Sequence, residues 1–158
     1  MEPPELDEVD RGILHMLQAD ARNNTASVIA EAVGVAPNTV RNRIERLEER
    51  SVIQGYHPHI DYDAAGFQLR VKFVCTVSVG ERAEHVERAI GIDGVVQVDE
   101  IHSGTGNLVI EAVAVEGDDV TRIAADIESL GLDVEVQQFV KDSHVQPFDH
   151  FGSDVTED

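Results

Sequence analysis

Apolar residues recur every three or four positions through the first third of the chain, which predicts a run of short helices. The first predicted helix follows Pro3-Pro4, which blocks an earlier start, and its apolar positions are Leu6, Val9, Ile13, Leu14 and Leu17. A second helix is indicated by Val28, Ile29, Ala32 and Val33, with Asn24 or Thr25 as its N-cap. Gly34 ends it, because glycine tolerates the left-handed conformation of a tight turn.

A third helix begins at Pro37, a residue that suits the first turn, and its apolar face is formed by Val40, Ile44 and Leu47. Three short helices with a glycine turn before the last predict a helix-turn-helix. The following stretch "SVIQGY" (51–56) predicts a short strand with a turn, which would make the domain a winged helix.

Strict alternation replaces the helical period in the second half of the chain. Residues 69–79 alternate apolar and polar and predict a half-buried strand. The elements predicted after it are a helix at 82–91 (inward residues Val86, Ala89 and Ile90), strands at 95–102 and 108–115, a helix at 118–129 and a strand at 134–140. The order βαββαβ predicts a ferredoxin-like fold, whose uncovered sheet face favours a homodimer or larger homo-oligomer.

The predicted fold class is therefore α+β, with a winged helix-turn-helix followed by a ferredoxin-like effector-binding and oligomerisation domain. The expected boundaries are 1–56 for the DNA-binding domain, 57–66 for a linker, 67–141 for the second domain and 142–158 for an acidic extension. We expect this extension to be loosely ordered, although Phe148 and Phe151 could anchor it to another subunit.

The net charge of −19 is distributed unevenly between these parts. Residues 1–60 contain six arginines against ten acidic residues, whereas residues 61–158 contain six basic residues against 21 acidic ones. Lysine occurs only at positions 72 and 141, and an acidic chain with so little lysine is typical of a halophilic, high-salt cytoplasm. One cysteine, no signal peptide and no apolar run of about 20 residues favour a cytoplasmic protein without contact with a membrane. A DNA-binding domain in such a protein implies that it is nucleoid-associated.

Arginine is concentrated in the third predicted helix, which predicts contact with double-stranded DNA. The residues placed to reach base edges in the major groove are Asn38, Thr39, Arg41 and Asn42, on a helix begun by Pro37. Those placed to bind phosphates are Arg43, Arg46 and Arg50. Salt bridges along a solvated helix are the alternative and would account for Arg41–Glu45 and Arg46–Glu49. They would not account for a stripe of like charges.

The loop "HSGTGN" (102–107) is the candidate site for a small effector. Gly104 and Gly106 would let a ligand approach the backbone closely, and the polar side chains available are those of His102, Ser103, Thr105 and Asn107. An ordinary glycine-rich hairpin turn is the alternative. Neither a metal site nor a cofactor is expected, since the seven histidines do not follow the spacing of a zinc framework.

Four segments of the chain resemble the leucine-responsive/asparagine-responsive (Lrp/AsnC) family of transcription regulators. They are "LDEVDRGILHMLQADAR" (6–22), "IAEAVGVAPNTVRNRIERLEERSVIQGY" (29–56), "GF" (66–67) and "GVVQVDEIHSGTGNLVI" (94–110). The resemblance implies dimerisation through the second domain, binding to pseudo-palindromic sites and an effector, typically an amino acid, at the glycine loop. Ala36 and Asn107 depart from it, since the family has Ser and Asp there, and Asn107 implies a weaker amino-acid site or a different ligand.

Other functional classes are compatible with this scaffold. Sirohaem decarboxylases resemble the same fold, but they would need basic or histidine groups around a tetrapyrrole, whereas here the arginines lie on the third helix. A ligand-buffering protein without DNA binding is a further alternative. No nucleophile–base pair or phosphate loop occurs in the sequence, so we expect a regulator and not an enzyme.

Overall fold

The computed structural model describes residues 5–152, which form two compact units. One unit contains residues 5–58 and 144–152, and the other contains residues 59–143. The helices are α1 (Glu8–Asp20), α2 (Ala26–Val33), α3 (Pro37–Glu49), α4 (Arg82–Ile90), α5 (Gly117–Ser129) and α6 (Asp149–Gly152). The strands are β1 (Leu69–Thr76), β2 (Val95–Glu100), β3 (Leu108–Ala114) and β4 (Asp133–Phe139). Among residues 5–152, no helix is long and apolar enough to cross a membrane.

Capping residues set the ends of the helices in the first unit. Asp7 is the N-cap of α1 and accepts a hydrogen bond from the backbone N–H of Asp10 at 2.8 Å. Thr25 caps α2, whereas Asn24 donates its side-chain amide to the carbonyl of Met16 at 2.7 Å. Gly34 then adopts a φ of +74°, the left-handed conformation that ends α2 and directs the chain into α3.

A small apolar core holds the three helices together. Its fully buried members are Ile13, Ile29, Val40 and Leu47, and Leu14 and Ala30 are nearly so. Val28 and Ala32 remain exposed, contrary to the predicted face of α2. The reason is that this eight-residue helix meets its neighbours through the adjacent pair Ile29 and Ala30.

The predicted wing strand is wrong for this chain, because no strand forms within residues 51–58. The backbone N–H groups of Val52 and Ile53 instead donate to the carbonyl of Leu47 at 2.9 and 3.1 Å. The side chains of both residues pack on the helical core. Their backbone donors are therefore used to end α3 and are not available to a strand ladder.

The second unit confirms the predicted βαββαβ order. Its four strands lie in the order β2-β3-β1-β4, and each neighbouring pair is antiparallel. The two helices cover one face, where the core contains Phe73, Ile110, Ile123 and Ile127. Cys75 is also part of this core, as its position on the apolar face predicts.

The ends of two elements differ from the prediction. β1 ends at Thr76, and Val79 lies in a single turn of 3-10 helix with 70% of its surface exposed. Ile90, the last residue of α4, is 50% exposed, although the helical spacing predicts that it points inward. In both cases the predicted alternation or helical spacing continues past the point where the element ends.

The acidic extension is only partly described by the structure. Residues 144–152 belong to the helical unit, and Phe151 packs on its core, where the expectation was a loosely ordered segment or an anchor to another subunit. Residues 153–158, like Pro3-Pro4, lie outside the described part of the chain.

Candidate DNA-recognition helix and effector loop

Helix α3 presents an apolar face to the core and a polar face to solvent. Val40 and Leu47 are buried, and Ile44 is half-buried beside them. Pro37 occupies the first turn of the helix, as the sequence predicts. The N-cap residue Ala36 has the extended conformation of a cap (φ −74°, ψ 149°) but forms no side-chain cap hydrogen bond. The first turn of α3 therefore keeps its backbone N–H groups free of a side-chain acceptor.

The four residues predicted to read bases lie in the first two turns of α3. Asn38, Arg41 and Asn42 are exposed, and Thr39 is half-exposed. The guanidinium of Arg41 donates to the side-chain oxygen of Asn38 at 2.8 Å, where the alternative interpretation expected a salt bridge to Glu45. This contact holds the two side chains together on the exposed face of the helix.

Arg46, near the end of α3, and Arg50, directly after it, carry charges that no carboxylate compensates within residues 5–152. Both side chains are exposed, and neither has an ion-pair partner among residues 5–152. The alternative pairing of Arg46 with Glu49 is not formed. Each guanidinium therefore remains available to a phosphate group.

Arg43 has a different role from the predicted phosphate contact. Its guanidinium lies 2.5 Å from a carboxylate oxygen of Asp7 and 3.2 Å from one of Asp10, at the start of α1. The N–H of Asp10 and then the Arg43 guanidinium lower the pKa of the Asp7 carboxyl, and the bond to Asp7 raises the pKa of Arg43. Because its charge is compensated by two carboxylates, Arg43 joins α3 to α1.

The effector loop between β2 and β3 divides into an exposed tip and an anchored end. Residues 102–105 are exposed, so His102, Ser103, Gly104 and Thr105 can reach a ligand. Gly106 adopts a φ of +56°, and its N–H donates to the hydroxyl of Thr76 at 2.8 Å. This bond ties the end of the loop to β1.

Asn107 is part of the fold and not of the exposed loop. It is completely buried, its side-chain oxygen accepts from the N–H of Val77 at 2.9 Å, and its amide group donates to the carbonyl of Val77 at 2.8 Å. The predicted effector contact of Asn107 is therefore not available in this structure. The same two bonds explain why β1 stops, since Val77 uses its backbone groups on Asn107.

The chain is similar to known transcription regulators in both sequence and fold. A model of the AsnC-type helix-turn-helix domain matches residues 6–48. The HTH-type transcriptional regulator AldR of Mycobacterium tuberculosis is 32% identical over 138 residues, which cover 85% of this chain and 74% of AldR. This chain belongs to the Lrp/AsnC family. The crystal structure of M. tuberculosis AldR superposes with a TM-score of 0.71 at 26% identity, covering 90% of this chain and 99% of that one.

The fold of this Lrp/AsnC chain also matches a regulator that was solved with a bound amino acid. The transcriptional regulator NMB0573 of Neisseria meningitidis, in complex with L-methionine, gives a TM-score of 0.71 at 18% identity. The match covers 90% of this chain and 94% of the other, and at this identity it describes the fold alone.

The sheet of this Lrp/AsnC chain has an apolar row on the face opposite its helices. Val74 is paired directly with Val109 on β3 and with Val136 on β4, so the three side chains lie side by side. Val136 is 44% exposed, and the other two are half-buried. Apolar side chains in this position favour contact with another apolar surface.

The structure also adds functional residues that the sequence interpretation missed. Asp7 and Asp10 fix Arg43, and their spacing, an N-cap residue followed three positions later by an acid, is a helix-start signature that could have drawn attention to them. No comparable signal marks Val77 as the partner of Asn107. Among the described residues, no group of three or more histidine, cysteine or acidic side chains could hold a metal ion.

Proposed function

We propose that this Lrp/AsnC chain is a sequence-specific DNA-binding transcription regulator that acts on pseudo-palindromic double-stranded sites. The observation that carries the proposal is the exposed polar face at the start of α3, with Asn38, Arg41 and Asn42 outward and Val40 buried behind them. Asparagine and arginine can each form paired hydrogen bonds to a base edge in the major groove. AldR, a regulator by its name, matches most of this chain and supports the same function.

Arg46 and Arg50 supply the phosphate contacts in this proposal. Arg46 lies further along α3 than the base-reading residues, and Arg50 directly follows the helix. Neighbouring carboxylates in the described chain do not neutralise either charge. A helix that enters the major groove with its first turns brings later arginines close to the backbone. Arg43 acts indirectly, by holding α3 on α1.

The protein works as a homodimer or a larger homo-oligomer in this proposal. The row of Val74, Val109 and Val136 gives the sheet an apolar face that a second copy of the same sheet could cover. A two-fold dimer would present two α3 helices to two half-sites, which is why the sites are expected to be pseudo-palindromic.

A small effector, such as an amino acid, modulates binding through the tip of the loop at residues 102–106. The support is the exposure of His102, Ser103 and Thr105 together with a backbone that glycine leaves open. The N. meningitidis regulator with this fold was solved with L-methionine, so the fold can hold an amino acid. Asn107 contributes by fixing the end of the loop.

The experiment is selection from a library of genomic DNA fragments, at low salt and in about 2 M KCl, where the Debye length falls below about 3 Å. Enriched pseudo-palindromic sites are expected for the wild type, and Asn42→Ala should lose them. Asn23→Ala is the matched control, since Asn23 is exposed outside α3. If the control and Asn42→Ala enrich the same sites equally, α3 does not read the bases.

The effector is tested in the same selection with pooled amino acids added. The enriched sites or their occupancy should shift for the wild type and stay unchanged for Thr105→Ala. A shift that persists in both His102→Ala and Thr105→Ala would place the effector site elsewhere.

A further inference from the structure

The C-terminal segment, residues 144–152, belongs to the same compact unit as the three helices of the helix-turn-helix. Phe151 is half-buried and packs on the apolar core of this unit. The backbone N–H of Phe148 donates to the side-chain oxygen of Gln18 on α1 at 3.2 Å. The rings of Phe148 and Phe151 meet edge to face with 5.0 Å between their centroids, an arrangement that aromatic pairs favour. Apolar and polar contacts together therefore hold the segment on the helical unit.

Gly152 fits closely against α1 because it has no side chain. It is buried, and a Cβ added to it would overlap the imidazole ring of His15. The overlap includes Cγ of His15, so rotation of the ring about its Cβ–Cγ bond does not relieve it. The segment and α1 are thus matched in shape at the point where these two residues meet.

Phe151 lines a cleft between α1 and the residues that follow α3. The cleft has a volume of about 340 Å³, and Val52 and Ile53 form part of its apolar wall. The backbone N–H groups of the same two residues close the end of α3 on the carbonyl of Leu47. No strand forms within residues 51–58, so Phe151, and not a wing strand, shares the cleft with the residues that end α3.

We propose that residues 148–152 complete the DNA-binding unit in place of a wing strand and stabilise α3 through its two neighbours. One neighbour is α1, which holds α3 through the ion pairs of Arg43 with Asp7 and Asp10. The other is the stretch that closes the end of α3 and lines the cleft with Phe151. Every contact in this series lies within one compact unit, although the whole sheet unit separates the segment from α3 in sequence.

Amide hydrogen exchange on the full chain, followed residue by residue by NMR, measures the stability of each unit separately. We expect Phe151→Ala to speed the exchange of protected amides in α1 and α3 about 10- to 100-fold, less than for a fully buried phenylalanine. The protected amides of β1 and β3 should keep their wild-type rates, because the substitution removes no contact in the sheet unit. Equal acceleration in both units, or none in α1 and α3, would overturn the proposal.

Val145→Ala is the matched control, because it truncates a side chain of the same segment that is 72% exposed. Its exchange rates should equal those of the wild type. Gly152→Ala should speed the exchange of α1 and α3 in the wild-type background but change it much less in a His15→Ala background, where the ring that the new methyl group meets is absent. An equal effect of Gly152→Ala in the two backgrounds would show that the segment does not dock on α1 in this way.

The consequence for DNA binding rests on the proposed function and is measured by fluorescence anisotropy with one selected site over a range of temperatures. Where the unit is still folded, Phe151→Ala should bind with wild-type affinity, since it changes none of the proposed base or phosphate contacts. On warming, it should lose binding at a temperature roughly 5–20 °C lower than the wild type and Val145→Ala, because only the folded unit presents α3.

Loss of binding at the same temperature for all three chains would show that α3 does not depend on the segment. If the wild type binds no site, the proposed function fails, and the exchange rates still decide whether residues 148–152 stabilise the helical unit.

Discussion

Asn107 stabilises the sheet domain through both polar ends of its amide. It satisfies the N–H and the carbonyl of Val77 in a fully buried position. Replacing Asn107 by Ala leaves both groups without a partner, and each buried unsatisfied group costs about 1–3 kcal/mol. We expect Asn107→Ala to lower the free energy of unfolding by about 2–5 kcal/mol, measured by urea denaturation.

The control for this change is Ser103→Ala in the same loop. Ser103 is exposed, and its hydroxyl has no partner in the described chain, so its removal should change stability by less than about 0.5 kcal/mol. Similar losses for both variants would show that the two bonds of Asn107 are not what holds the loop.

The Asp7 carboxylate makes the ion pair between α1 and α3, and with it the free energy of unfolding, depend on pH. The N–H of Asp10, and then Arg43, hold the pKa of Asp7 below its ordinary value of 3.8. The stability from this carboxylate is therefore complete well above pH 3.8 and is lost as the pH falls through the lowered pKa. Asp7→Asn keeps the cap oxygen and removes the charge, so we expect a loss of unfolding free energy at pH 7 that shrinks as the pH falls below 3.8 and through the lowered pKa.

A double-mutant cycle of Asp7→Asn with Arg43→Gln identifies the partner. The coupling energy should be about 0.5–1 kcal/mol at pH 7, since a half-exposed carboxylate meets a partly buried guanidinium and the cycle leaves out the separate contact with Asp10. It should fall toward zero in acid. A coupling energy of zero at pH 7 would show that the ion pair of Asp7 with Arg43 does not stabilise the contact between α1 and α3.

These residues also mark the limit of what the sequence can predict about single side chains. The helical spacing groups Arg43 with Arg46 and Arg50, and it places all three beside the apolar face. It does not show that the start of α1 lies against Arg43 alone, since that depends on how the two helices cross. In the same way, the pattern "HSGTGN" indicates a loop with polar groups, but it does not show that Asn107 turns inward to Val77.

Helix α3 begins at a cap that lacks a side-chain acceptor. Ala36 already has the extended conformation that a capping residue adopts, so a hydroxyl there could accept from the free N–H groups of the first turn. We expect Ala36→Ser to stabilise the helical unit by about 0.5–2 kcal/mol, measured by thermal denaturation. Ala32→Ser, at an exposed position of α2, is the control. It should be slightly destabilising, because serine is a poorer helix former than alanine.

Long periodic segments are predicted better than the segments that end them. Helices α1 to α3 and the βαββαβ order follow from regular spacing, because each element buries one face over several turns or pairs. The wing was predicted from the composition of "SVIQGY", which suits a strand. In the fold, Val52 and Ile53 close the end of α3 on Leu47, so tertiary packing overrides the strand preference.

The open face of the sheet is the surface through which we propose that two copies associate. Val136 is 44% exposed in the row with Val74 and Val109, and burying a valine contributes about 1.5 kcal/mol or more. Val136→Lys alters both copies at a two-fold interface, so the dissociation constant should rise about 100-fold. Val115→Lys, just beyond β3 and 51% exposed, is the control. The dissociation constants are measured by light scattering over a dilution series. If both variants associate like the wild type, this sheet face is not the interface.

A net charge of −19 repels DNA, so the balance between base and phosphate contacts should depend on salt. Losing one phosphate contact lowers the slope of log affinity against log salt by about 0.9, whereas a lost base contact costs about 1–3 kcal/mol at every salt concentration. We therefore expect Arg50→Ala to weaken binding mainly at low salt and Asn42→Ala to remove specific binding even at about 2 M KCl, where screening leaves only close contacts. The measurement is titration of one selected site and one scrambled site from low to high KCl. Equal losses for the two variants at every salt concentration would show that α3 does not divide its contacts in this way, and the exposed charge of Arg50 would then need another explanation.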